Sequence, residues 1–186
     1  MINDVKIKAG NLLIAEPFLE DAHFGRAVIL ICDHDAKEGT IGFIINKSLD
    51  TSVSEIMTSI NDFDAEVFYG GPVQHDTLHY LHTKGDLING SVKVSDGIYW
   101  GGDYEQVKFC IKHQLIEPHE IRFFIGYAGW SAGQLFDELE EVTWVVAQGD
   151  ANYLFNHNPK QLWKNTLETK GGRYSVIAQM EEYLSN

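Results

Sequence analysis

Apolar residues fall along this chain in short runs of two kinds, and their spacing predicts the elements. Stretches rich in β-branched and aromatic residues, bounded by turn formers, predict strands over residues 11–15, 27–32, 40–46, 66–69, 91–94, 97–100, 120–127 and 143–148. Apolar positions three and four apart predict helices over 53–60, 103–114, 131–141, 159–169 and 175–184. Pro159 suits a first helical turn, where its missing N–H has no intrahelical partner to lose. The first three strands have no helix between them, so antiparallel pairing is expected there, and single helices separate later strands. The expected fold class is α+β: one domain, with a largely antiparallel or mixed sheet, partly closed as in a barrel, and flanking helices.

At 186 residues the chain suits a single domain over 1–186, its core over about residues 10–170 and a helical tail over 171–186, after the break at Gly171-Gly172. The longest apolar run, Ala27-Val28-Ile29-Leu30-Ile31-Cys32, is far below the ~20 residues of a membrane-spanning helix, so no membrane partner is expected. The first residues, Met1-Ile2-Asn3-Asp4, lack an apolar signal core, which gives a cytoplasmic expectation. Cys32 and Cys110 lie in no C-x-x-C or metal-finger spacing and read as reduced core thiols. Lys and Arg total 14 against 27 Asp and Glu, a formal net charge of −13. Such a surface repels phosphate backbones, so no direct nucleic-acid partner is expected.

Within residues 126–135, GYAGWSAGQL, stands a literal G-x-S-x-G, the spacing of a nucleophile elbow. Catalysis by Ser131 would need a histidine base and an orienting acid; His157, with Asp137 or Asp150, is the downstream set. That elbow belongs in a parallel sheet of repeated β-α-β units, which the first half of the chain lacks. Ser131-Ala132-Gly133-Gln134 also fits S-x-x-Q, a helix capping box, and this reading accounts for the serine without catalysis.

Several segments together resemble a known family. Gly10-Asn11-Leu12-Leu13-Ile14-Ala15-Glu16-Pro17, Phe24-Gly25-Arg26-Ala27-Val28, Gly42-Phe43-Ile44-Ile45-Asn46-Lys47, Tyr69-Gly70-Gly71-Pro72-Val73 and residues 126–135 occur in the order expected of the AlgH/YqgE family of small bacterial proteins. The resemblance spans roughly residues 10 to 170. It implies an α/β fold on a sheet or partial barrel, and it carries a transcriptional-regulator label. No helix-turn-helix with basic recognition residues accompanies that label here, so direct reading of DNA ranks behind the other readings. The family pattern resembles G-W-G as readily as G-W-S at Ser131, which argues further against a nucleophile.

The glycine turns offer a different site. Gly70-Gly71-Pro72 follows one strand, and Gly126 and Gly129 flank the passage from another strand towards a helix. If these turns converge with Asn46, they form a small polar pocket walled by Tyr127 and Trp130, open to an anion or other small ligand. The alternative is that the glycines let two tight turns pack, with Asn46 bonding loop backbone. His75, His79 and His82 have H-x₃-H-x₂-H spacing, which places three imidazoles on one face only if the segment is helical; as a strand it disperses them. No metal and no cofactor is therefore expected. The residues favour a non-enzymatic binding or regulatory accessory protein, whose partner is a small anion or a protein, with the Ser131 hydrolase as the alternative and an indirect or direct transcriptional regulator third; they assign no oligomeric state.

Overall fold

The strands join into one curled sheet, seen in a computed structural model that describes residues 6–184, with side chains through residue 179. The strands are β1 Asn11–Ala15, β2 Val28–Asp35, β3 Gly39–Ile44, β4 Ser48–Ser52, β5 Glu66–Tyr69, β6 Val73–His82, β7 Val92–Ser95, β8 Ile98–Trp100, β9 Ile121–Trp130 and β10 Trp144–Gln148. The helices are α1 Val53–Ile56, α2 Tyr104–Lys112, α3 Gln134–Glu140, α4 Ala151–Phe155, α5 Pro159–Lys170 and α6 Gly172–Leu184, with a 3₁₀ turn at Pro118–Glu120. The acidic pair Glu181-Glu182 and the apolar Met180 and Tyr183 of the tail have side chains outside the described residues.

The sheet runs in the order β10-β1-β2-β3-β9-β6-β8-β7, and β5 and β4 branch from β9. All the pairings are antiparallel except β5 with β9. Long β9 is the hinge of this half-barrel: its end, Ala128–Trp130, pairs with β3, and its earlier residues pair with β5 and β6. The predicted α+β class, with its mixed, partly closed sheet, is what the chain forms.

Both faces of the first strands are buried, which is why they read as continuous apolar runs rather than alternating ones. Leu12, Ile14, Val28, Leu30 and Phe43 point into one layer, closed by Leu162, Trp163 and Leu167 of α5. Leu13, Ala15, Ile29, Ile31 and Ile44 point into a second layer, with Leu135 and Leu139 of α3. A third layer joins Val107 and Cys110 of α2 to Tyr80, Ile121 and Phe123.

Three elements escaped the pattern. β4 carries an exposed Leu49 between polar residues, β6 is exposed over its first half, and α4 is a five-residue helix that depends on its Asp150 cap. Among the helix limits that differ from expectation, two have a plain backbone cause. α1 ends at Ile56 because Met57 is already extended, and α3 begins at Gln134 because Gly133 takes the left-handed conformation at φ 83°.

Candidate functional site

Ser131 sits just ahead of α3, exposed, in the turn after β9. Half of the expected capping box forms: the Ser131 N–H donates to Gln134 Oε1 at 3.0 Å. The serine hydroxyl donates to the same oxygen at 3.3 Å instead of accepting a backbone N–H, since the helix starts later than the motif implies. His157 lies beyond α4, stacked on Tyr153, with its Nδ1 3.0 Å from the Asn152 carbonyl oxygen. Asp150 is spent on the start of α4, accepting from the N–H groups of Asn152 and Tyr153, and no hydrogen bond links Asp137 to His157. Ser131 follows Trp130 of the second core layer, whereas α4 packs on the first, so the sheet separates serine and histidine. The hydrolase geometry is not assembled.

The three histidines diverge because β6 is extended. His75 is exposed and stacks on Tyr69, with ring centroids 6.3 Å apart. His79 turns into an aromatic box of Phe43, Trp100 and Tyr127, where its Nε2 is sealed without a hydrogen-bond partner. His82 is fully buried, its Nε2 bonded to the Gly101 carbonyl at 2.8 Å while its Nδ1 accepts the Lys84 N–H at 3.1 Å. These partners fit a neutral imidazole, and burial pulls both His79 and His82 below the usual histidine range, partly offset at His82 by the bond to Gly101. Among the described residues no group of three or more His, Cys, Asp or Glu is placed to hold a metal ion.

The glycine turns do converge, and they do so backbone to backbone. A Cβ on Gly70 would stand 2.2 Å from the Gly126 carbonyl oxygen, and one on Gly71 would stand 2.2 Å from the Tyr127 carbonyl carbon. Pro72 follows directly, leading into β6. Asn46 works next to them as a latch: its Oδ1 accepts the Val28 N–H at 2.8 Å and its Nδ2 donates to the Arg26 carbonyl at 2.9 Å. Each of these contacts is the tight packing that the structural reading of the glycines requires.

The open surface lies further along β9. Tyr127, Gly129 and Trp130, with Ile41 and Val73, line a groove of about 450 Å³ whose other wall is Asp33, Asp35, Glu38, Gly39 and Thr40. The register of β2 against β3 shifts between Ile31 and Asp33, and beyond this bulge Asp33 and Asp35 stand exposed. Asp35 also shapes the turn, its Oδ1 accepting the N–H groups of Lys37 and Glu38. Trp130 is fixed from behind by Glu138, whose Oε2 accepts the indole N–H of Trp130 at 2.8 Å and that of Trp144 at 2.7 Å. Sequence reasoning missed this clamp and the carboxylate wall. The only trace of the clamp was an acid eight residues after a tryptophan, and nothing local marks Asp33 or Glu38 as neighbours of Tyr127.

A half-barrel with a groove along its central strand, in which Ser131 and His157 are not brought together, defines a small α+β protein. The chain belongs to the AlgH-like family, whose model matches residues 12–175. It is 45% identical over 176 residues to a UPF0301 protein of Chlorobaculum parvum, covering 95% of this chain and 94% of that one. A UPF0301 protein of Bacteroides thetaiotaomicron is 43% identical over 181 residues, 97% of this chain and 91% of the relative. Among solved structures, the AlgH protein of Pseudomonas aeruginosa superposes with a TM-score of 0.71 at 25% identity, covering 91% of this chain and 92% of that one. A Corynebacterium diphtheriae protein shares the fold with a TM-score of 0.76 at 20% identity, over 94% and 93% of the two chains. No helix among the described residues is long and apolar enough to cross a membrane.

Proposed function

We propose that this chain is a non-enzymatic accessory protein that binds a protein partner through the groove beside Tyr127, Gly129 and Trp130. The observation that carries this reading is the groove's composition: an apolar floor of Ile41, Val73, Tyr127 and Trp130 against a wall of Asp33, Asp35 and Glu38. Exposed carboxylates beside aromatic faces favour a segment that brings Lys or Arg next to an apolar side chain, by charge attraction and cation–π contact together. The Gly70 N–H donates to the Ile125 carbonyl at 2.8 Å, and the carboxylates lining the groove repel an anion there, which supports a partner of the opposite sign. Any influence on transcription would run through that partner, because a net charge of −13 opposes direct contact with DNA. The test is a spectral titration of the labelled protein with a lysine- and leucine-rich peptide and with its glutamate counterpart. Salt-sensitive shifts at Ile41, Val73 and Gly129 with the lysine peptide alone, weakened by Asp33→Asn with Asp35→Asn, are expected. Equal shifts with both peptides, or none, would exclude this groove as the binding surface.

A further inference from the structure

Arg122 is the one guanidinium in the described core, only 9% exposed, on β9 opposite Leu81 of β6. An arginine carries five N–H donors in a rigid fork, and when it is buried they normally meet carboxylates or several carbonyls. Here, among the described residues, the fork makes a single hydrogen bond, from Nη1 to the Ile45 carbonyl oxygen at 3.3 Å. Its Cζ also lies 4.6 Å from the ring centroid of Phe68, which supports one face of the plane. No ion pair among the described residues reaches Arg122. Glu66, one residue before Val67 in the strand pairing β9, is the acid whose charge acts on it, and is itself exposed. None of the Arg122 nitrogens is among the side-chain atoms sealed without a partner, so its unbonded N–H groups keep a path to solvent. Burial pulls the guanidinium down to about 10 against the smaller upward pull of Glu66, and it remains charged at neutral pH.

A buried cation that is charged, stacked on one face and left with free donors is the arrangement of an anion subsite awaiting its anion. Pure structure is served differently: a buried arginine that only holds the fold together saturates its fork, because each unmet donor costs stability. We propose that Arg122 binds a small oxyanion, a carboxylate or phosphate group taken by the unbonded edge of the guanidinium, at a site separate from the acidic groove. Phe68 and the Ile45 carbonyl fix the plane of the fork in advance, so little side-chain entropy is lost on binding. Glu66 on the neighbouring strand disfavours doubly charged ligands, which places monoanionic carboxylates ahead of phosphate dianion.

The experiment follows the arginine Nε–H resonances of the full-length protein during titration with sodium acetate and with sodium phosphate, against sodium chloride at matched ionic strength. A saturating shift of the Arg122 resonance with acetate, weaker with phosphate at pH 8 than at pH 6 and absent with chloride, is expected. Arg122→Lys should weaken acetate binding by on the order of tenfold, the loss of about one charge-assisted hydrogen bond. Equal responses to chloride, or an unmoved Arg122 resonance, would overturn the assignment, and this holds even if Arg122→Lys fails to fold, because the titration of the unaltered protein decides alone. A shift larger with phosphate at pH 8 would retain the subsite and reverse the ligand order.

Discussion

Glu138 offers the sharpest test of how this molecule holds its groove. One carboxylate oxygen accepts both indole N–H groups, at 2.8 Å from Trp130 and 2.7 Å from Trp144, while the other takes the Gln134 side-chain amide at 3.0 Å. The two indoles are 5% and 4% exposed, so neither N–H can turn to bulk water if the carboxylate is removed. Hydrogen bonds to a charged acceptor contribute roughly 1.5–3 kcal/mol each, and the half-exposed position of Glu138 argues for the lower end. Glu138→Leu should therefore cost about 3 kcal/mol, which for a chain of this size lowers the midpoint of thermal unfolding by roughly 6–12 °C. Glu138→Gln keeps an acceptor oxygen without the charge and should lose about half as much. Tryptophan fluorescence melts measure the loss, and the emission of Trp130 and Trp144 reports whether the rings have moved. A Glu138→Leu protein within about 1 kcal/mol of the parent would refute the reasoning, because two buried donors would then have been left unpaired at almost no cost.

Further predictions concern the turns, the serine and pH. Gly126→Ala places a Cβ 2.4 Å from the Gly71 carbonyl at a φ of +70°, so urea unfolding should show a loss above about 2 kcal/mol; a parental midpoint would mean that the two turns do not pack as described. Ser131→Ala removes only an exposed hydroxyl bonded to Gln134, so its melting curve should lie within about 1 kcal/mol of the parent, and a fluorophosphonate probe should label neither protein. Stability should also fall on mild acidification. His79 and His82 titrate below the usual value when folded, so as pH drops through about 6.5 the unfolded chain takes up protons first and the folded state loses ground, until the folded histidines charge in turn. Urea midpoints that stay level from about pH 7.5 to about pH 5.5 would contradict the buried, neutral placement of these two rings.

What the sequence determined by itself was the local part of the architecture. β1 and β2 follow from uninterrupted apolar runs, α5 from a proline start and its apolar spacing, and the break before α6 from Gly171, because each rests on forces acting within a few residues. The α+β class followed from element order, and the family from several motifs in sequence. Tertiary structure decided the rest. It made β6 a strand although more than half its residues are polar, because its second half meets β9. It set Ser131 and His157 in different layers, closed the glycine turns on one another, and brought Asp33 and Asp35 to Tyr127 across a β-bulge. It also left Arg122 in the core with a single hydrogen bond among the described residues. These are outcomes of register and curvature, fixed only when β9 pairs with partners some fifty to ninety residues earlier in the chain, as Phe123 does with Val67 and Ala128 with Gly42. Periodicity tells which face of a strand is apolar; which other strand that face will meet is settled by the whole core packing at once.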